Sequence, residues 1–244
     1  MGLSDLTVRF GTARPMIALY GAFGALFHAF GANDGVRQGP NVPAIAITFD
    51  DGPQPEWTPR MLDALDAANA RATFFVVGRC VDEHPEVVRD AHRRGHEIGT
   101  HLWSHDRSVV ADDARFTEEL KNSLNRVQSI TGAPVRWLRF PYGEAGKQQR
   151  DRIEREHGVR VAHWTSSSHD SMLADPNAIV ARSVAGLRRG AILLMHDRLA
   201  DGPNVEPPYR DERDASVAAL PMILEAARAR GLDAVTLSAL FSHR

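Results

Sequence analysis

The stretch Ile45-Ala-Ile-Thr-Phe-Asp-Asp-Gly-Pro53 decides the fold. Residues 44–49 form an apolar run rich in β-branched and aromatic side chains, the signature of a buried strand. The run stops at Asp50-Asp51, and Gly52-Pro53 turns the chain. Adjacent carboxylates at the end of a buried strand repel each other and are costly to desolvate. Two explanations are open at this point. The pair can sit in a solvated turn, since Asp-Gly is a common turn dipeptide. Alternatively a cation compensates the charge, with one Asp as ligand and the other as base. The ends of the other strands decide between them.

Downstream, strand and helix patterns alternate. Helical spacing at 57–68 (Met61, Leu62, Leu65, Ala68) is followed by an apolar strand at 72–77. A helix at 85–94 is stopped by Gly95, and 96–100 reads as a short strand. A long helix at 112–130, with Leu120, Leu124 and Val127 on one face, ends at Gly132. Strands at 135–140 and 159–165 flank a charged helix at 147–157. A helix opening at Asp175-Pro176, a strand at 191–195, a helix at 214–230 and a strand at 233–237 complete the pattern. Regular βα alternation implies a parallel sheet of about seven strands, open or closed into a barrel. The 244 residues suit one such α/β domain.

Parallel α/β folds hold their chemistry at the C-terminal ends of the strands. Five predicted strand ends carry reactive groups: Asp50 and Asp51; His101 and His105; Arg139, Pro141, Tyr142 and Gly143; His169 and Asp170; His196 and Asp197. That coincidence favours the cation over the solvated turn. His101 and His105, four apart on a turn, can share one ion through their imidazoles. His92 and His96 have the same spacing, but Gly95 breaks the helix between them; they read as a surface and a structural residue. Two histidines and a carboxylate make a common site for a catalytic divalent ion. Asp51, His101 and His105 are that set, and Asp50 is left to act as a base on water.

Composition narrows the partners. Charged residues are 25% and the net charge is −2, so no polyanion-binding surface is implied and nucleic acid is not expected. The single cysteine, Cys80, rules out an intrachain disulfide and a cysteine-based zinc site, and it reads as a small buried residue. Residues 16–30 are apolar and uncharged, shorter than the ~20 residues of a membrane helix but suited to the core of a secretory signal. Ala29-Phe-Gly31 offers a small-x-small cleavage site. The expected organisation is an N-terminal signal- or anchor-like segment and linker, 1–43, followed by a catalytic domain, 44–244. Export or membrane attachment through residues 16–30 is favoured over a cytoplasmic place.

Together these segments resemble the polysaccharide deacetylase family, the NodB-homology family. Thr48-Phe-Asp-Asp-Gly-Pro53, His101-Leu-Trp-Ser-His105 and Arg139-Phe-Pro-Tyr-Gly143 look like its first three motifs; 164–170 looks like a degenerate fourth and Leu194-Met-His196 like the fifth. The resemblance implies a distorted (β/α)7 barrel and hydrolysis of N- or O-acetyl groups on a glycan such as chitin, peptidoglycan or acetylated hemicellulose. It implies a divalent ion, Zn2+ first and Co2+ as an alternative, held by Asp51, His101 and His105. Asp50 is then the general base and His196 the general acid. Arg139 holds Asp50 and is steadied by Asp170. The Tyr142 N–H, in the turn that begins at Pro141, meets the oxyanion, and Leu194 lines the acetyl pocket. One position departs from the pattern: Ser171 follows Asp170 where the family usually has Trp, so an apolar wall must come from elsewhere, with Trp103 and Trp164 as candidates. The segment 198–214 is placed to form a rim loop. Two rival readings use the same residues: a hydrolase of small cyclic amides or ureides, and an inactive carbohydrate binder. Asp50 and His196 together argue against a mere binder.

Overall fold

The computed structural model describes residues 35–144, 147–199 and 212–242. All seven residues of β1 (Ala44–Asp50) are buried. It is the centre of one parallel sheet with β2 (Thr73–Val76), β3 (Glu97–Thr100), β4 (Trp137–Leu138), β5 (Arg160–Val161), β6 (Ser166–Ser167) and β7 (Ile192–His196), in the order β5-β4-β3-β2-β1-β7-β6. An eighth strand, β8 (Asp233–Val235), pairs with the start of β1. The sheet curls into an incomplete barrel, and β5 and β6 at its two ends do not pair.

Period-two alternation sorts the strand side chains into two layers. Ile45, Ile47 and Phe49 of β1, Phe74 and Val76 of β2, and Leu193 and Met195 of β7 face an outer core. That core is covered by α1 (Thr58–Ala67), α3 (Pro85–Arg93), α6 (Pro176–Gly186) and α7 (Asp214–Ala229), among others. Ala44 and Ala46, Phe75, Trp137 and Ile192 fill the inside with Leu237 and Leu240 of α8 (Leu237–Ser242). The same inward phase carries Thr48 and Asp50 on β1 and Leu194 and His196 on β7, so on these two strands the inward polar groups lie toward the C-terminal rim. At the opposite end Glu97 accepts from Thr73 Oγ1 (2.9 Å) and from the Ser238 N–H (3.0 Å), which fastens α8 there as a plug.

Most predicted elements are present, with three differences. The strands read at 135–140 and 159–165 are two residues each, β4 and β5, because the chain leaves the sheet to build the site. The short helices α2 (Gly78–Glu83) and α8, and strand β6, lacked a period long enough to announce them. Residues 35–43, read as linker, are fastened to the sheet: the Val36 N–H donates to Val161 O (2.9 Å) and the Gly39 N–H to Gly190 O (2.8 Å). α5 (Lys147–His157) matches its predicted range, and α4 (Asp113–Thr131) follows the expectation closely. The Asp112 side chain caps its first turn and Gly132 ends it at φ 69°. The apolar run 16–30 lies outside the described residues, as do 200–211 of the expected rim loop. Among the described residues no helix is long and apolar enough to cross a membrane.

Candidate active site

Parallel pairing puts the ends of β1, β3, β4 and β7 on one rim. Register places Asp50 opposite His196, so the last residues of β1 and β7 are neighbours. Beyond β1, Asp51 takes a left-handed φ of 78°, and its Oδ1 lies 3.4 Å from His101 Nε2 and 3.2 Å from His105 Nε2. All three side chains are buried, and their donor atoms lie within 4.8 Å of one another. His101 Nδ1 is 2.7 Å from the Arg139 carbonyl, which can only accept, so this nitrogen carries the hydrogen. The Nε2 lone pair therefore faces the Asp51 carboxylate. A lone pair against a buried anion is repulsive unless a proton or a cation stands between them. Burial alone would lift the Asp51 carboxyl, yet His105 and His101 hold it well below the usual carboxylate range. Burial would lower His101, and the Asp50 and Asp51 carboxylates overcome that and raise it. The cluster thus calls for positive charge, and its donor set, two imidazoles and a carboxylate, fits a divalent ion.

Asp50 is managed differently. Arg139, fully buried, donates from Nη1 to Asp50 Oδ1 (2.7 Å) and Thr48 Oγ1 (2.8 Å), from Nε to Ala162 O (3.2 Å) and from Nη2 to His163 O (2.8 Å). Its guanidinium lies over Phe75, 4.2 Å from the ring centre. All three guanidinium nitrogens are anchored, so Asp50 Oδ1 is held still. Asp50 Oδ2 stays 3.9 Å from His101 Nε2.

Across the rim, Asp170 receives four hydrogen bonds. Ser168 Oγ (2.8 Å) and His196 Nδ1 (2.9 Å) reach Oδ1; the His196 N–H (2.9 Å) and Ser216 Oγ (3.0 Å) reach Oδ2. The expected support of Arg139 by Asp170 is not what these bonds show. Asp170 is committed to His196 and two serines, while Arg139 is anchored by backbone carbonyls. Burial would lower His196, but the charge and hydrogen bond of Asp170 push it up to about 9. Burial would raise Asp170, and His196 keeps it below the carboxylate range. With Nδ1 taken, Nε2 is the nitrogen able to exchange a proton.

Around these groups, Tyr142 has φ 60° in the turn after β4, and its ring lies 4.8 Å from His105. Pro141 is buried at the start of that turn. Leu194, two residues before His196 on the same face of β7, is nearly buried. The two candidate tryptophans part ways. Trp103 packs on Gly78 and lines an outer cleft of about 330 Å³ with Asn122, Asn125, Arg126 and Ser129. Trp164 lies on the site's turn, where a Cβ at Gly143 would come within 2.7 Å of its ring, and 5.6 Å from Arg139. Ser171 is buried. His96 is structural, as expected: its Nδ1 accepts from the Ala72 N–H (3.2 Å), its ring meets Phe74 edge-on, and burial lowers it to about 4. Cys80 is buried, as expected.

Sequence reasoning missed the supports Thr48, Ser168, Ser216, Arg213 and Thr58, and it named Asp197 as a strand-end group without its partner. Asp197 accepts from Thr58 Oγ1 (2.6 Å) and lies behind the Asp50–Asp51 turn. A Cβ at Gly52 would come within 2.2 Å of its Oδ2. Burial, opposed by Thr58 and aided by the charges of Asp51 and Asp50, raises Asp197 to about 7. A signal for Ser216 existed: it occupies the apolar stripe of α7 with Ala219, Leu220 and Ile223.

Known proteins share this arrangement of sequence and fold. Residues 37–162, just over half of the chain, match the profile of the polysaccharide deacetylase family. A chitooligosaccharide deacetylase of Sinorhizobium fredii is 32% identical over 199 residues, 80% of this chain and 90% of the relative. A peptidoglycan-N-acetylglucosamine deacetylase, PgdA, of Listeria monocytogenes is 33% identical over 153 residues; that match spans 63% of this chain and only 32% of the relative's length. Among solved structures, the Bc1960 peptidoglycan N-acetylglucosamine deacetylase superposes with a TM-score of 0.78 at 26% identity, covering 89% of this chain and 97% of that one. A family 4 carbohydrate esterase from Streptomyces lividans, in complex with acetate, gives 0.68 at 26% identity, covering 82% and 93%. The profile ends at residue 162, before Asp170 and His196, so it is the fold that brings those two to the matched motifs. On sequence and on fold alike, the chain belongs to the polysaccharide deacetylase family.

Proposed function

We propose that this protein is a metal-dependent hydrolase that removes acetyl groups from a glycan, chiefly the N-acetyl groups of N-acetylglucosamine units. The observation that carries the reading is one rim with two kinds of site: a buried carboxylate–imidazole cluster that calls for a cation, and a histidine already charge-paired beside it. The relatives' names, peptidoglycan-N-acetylglucosamine deacetylase and chitooligosaccharide deacetylase, support the substrate class.

Asp51, His101 and His105 hold the divalent ion, Zn2+ first and Co2+ as the alternative. When bound it acts as a Lewis acid, making water a better nucleophile and the acetyl carbonyl a better electrophile. Asp50 takes the proton of the attacking water; Arg139 fixes its Oδ1 and thereby the direction of Oδ2. The Tyr142 N–H meets the charge that develops on the carbonyl oxygen, where a fixed donor is worth most. Pro141 starts the turn that aims it. An amine leaves poorly unless protonated, and His196 Nε2 supplies that proton while Asp170 keeps the ring oriented. Leu194 and Trp164 form the apolar wall for the acetyl methyl. The C–N bond breaks, and acetate and a free glucosamine unit are the products.

The test is acetate release from chitin oligomers, peptidoglycan and acetylated hemicellulose, with and without a chelator. We expect release from the N-acetylglucosamine polymers, loss on chelation and recovery with Zn2+. Release that ignores the chelator defeats the metal assignment. Turnover of a small cyclic amide with none of these glycans favours the rival hydrolase.

A further inference from the structure

We infer that Ser216 is a positioning residue for the proton donor, acting on His196 through Asp170. The inference rests on the role of His196 proposed above. Asp170 is buried, and each of its carboxylate oxygens is held by two donors. On Oδ1 the donor besides the ring is Ser168, two residues away. Ser168 Oγ also accepts from the Asp170 N–H (3.3 Å), a local contact that shapes the loop whatever the chemistry. Ser216 is different in origin. It comes from the first turn of α7, 46 residues further along, and is itself buried. A serine in a first helical turn commonly turns back to cap or to bond its own backbone. Here its one hydroxyl hydrogen goes to Asp170 Oδ2 at 3.0 Å. Arg213, just ahead of α7 and fully buried, donates to the Asp170 carbonyl (3.3 Å). The start of α7 therefore grips Asp170 on both main chain and side chain.

The geometry explains what this grip does. The His196 N–H and Ser216 fix Oδ2, which stops the carboxylate from rotating. Oδ1 then stays in line with the imidazole Nδ1–H. Without Ser216, Oδ2 keeps one main-chain donor beside the two on Oδ1, so the carboxylate is held less tightly and the ring loses part of its fixed direction. The loss falls on proton donation and not on substrate binding.

Proton donation is needed for an amine leaving group and hardly at all for a nitrophenolate, which separates this role from a structural one. Ser216→Ala is measured on an N-acetylglucosamine oligomer and on 4-nitrophenyl acetate, with the thermal midpoint as a folding check. We expect kcat on the oligomer to fall on the order of tenfold, as for loss of one hydrogen bond to a charged group. KM on the oligomer and the ester rate should each stay within about twofold. In a His196→Ala background, Ser216→Ala should change the oligomer rate by less than about twofold, because its route of action is gone. Equal losses on amide and ester, or a full further loss in the His196→Ala background, overturn the inference. If the ester is not turned over, the double variant decides. A wild-type protein that deacetylates no oligomer removes the reaction itself. An active wild type with an unchanged Ser216→Ala removes only this role.

Discussion

The two walls of the site solve the problem of buried charge in opposite ways. On the wall built from β1 and the loop after β3, Asp51 faces two imidazole nitrogens, and the charge balances only with a proton or a cation added. On the wall built from β7, the loop after β6 and α7, Asp170 and His196 already balance each other, and serine hydroxyls complete the carboxylate's shell. Arg139 stands between them, tying Asp50 to the barrel interior. One wall thus lacks a balancing positive charge, and the other already holds one; the proposed reaction would use the first for a cation and the second for a proton. Amide hydrolysis needs both, because an activated nucleophile is wasted on a leaving group that cannot depart.

The largest expected effects separate the walls directly. His101→Ala removes one of three donors and should abolish both metal retention and acetate release, beyond the roughly 10–100-fold loss typical when an outer partner of a metal site is removed. His196→Ala should lower acetate release by about 10²–10⁴-fold, the range for a general acid, with metal content unchanged. Metal analysis beside the rate assay reads both. If His196→Ala also loses the ion, the two walls are not separate.

The pH response sharpens the same contrast. His196 is raised to about 9 from the ordinary 6.5, so its pairing with Asp170 stabilises the fold fully below about 6.5 and is lost as pH rises through 9. Asp170 is lowered, so its share is present above the carboxylate range and lost on acidification. Activity that needs protonated His196 should accordingly decline above about pH 9. Rate and thermal midpoint are followed from pH 6 to 10 (about the span over which His titrates here). In His196→Ala the alkaline fall in midpoint should flatten; an unchanged alkaline limb would mean another group titrates there.

The smallest effect concerns the brace behind the first wall. Gly52→Ala places a methyl 2.2 Å from Asp197 Oδ2. Asp197 is held by Thr58 and cannot retreat freely. We expect a loss of about 1–3 kcal/mol in stability, the usual cost of overpacking, read by denaturant unfolding. The displaced turn should also weaken metal retention; full retention would show that the turn is held from elsewhere.

Much of this was legible in the chain. The apolar run ending in Asp50-Asp51 and the βα alternation follow from local periodicity, because strand and helix periods are written into consecutive residues. The four-residue spacing of His101 and His105 pointed to the right pair for another reason than the helical turn it suggested: residues 101–106 are not helical, and Leu102 and His105 take left-handed φ. Asp170 and His196 were given separate roles, and Asp170 was matched with Arg139 and not with His196. Which of several buried cations a carboxylate meets depends on how the loops after β4 and β6 cross the rim, and no short-range pattern encodes that.

The sequence by itself determined the parallel α/β architecture, the carboxylate–imidazole trio and the family. Tertiary structure decided the rest. It turned Arg139 toward carbonyls 162 and 163 instead of Asp170, brought Ser216 to Asp170 across 46 residues, and put Trp164, not Trp103, beside Arg139 and the turn at Gly143. It also held Asp51, His105 and Tyr142 at left-handed φ without glycine, a strain of roughly 1–3 kcal/mol each that local preference opposes. The physical reason is common to all of these. Backbone periodicity is a local property, whereas the partner of a buried charge and the relief of a strained turn are set by side chains that only the folded barrel brings into contact.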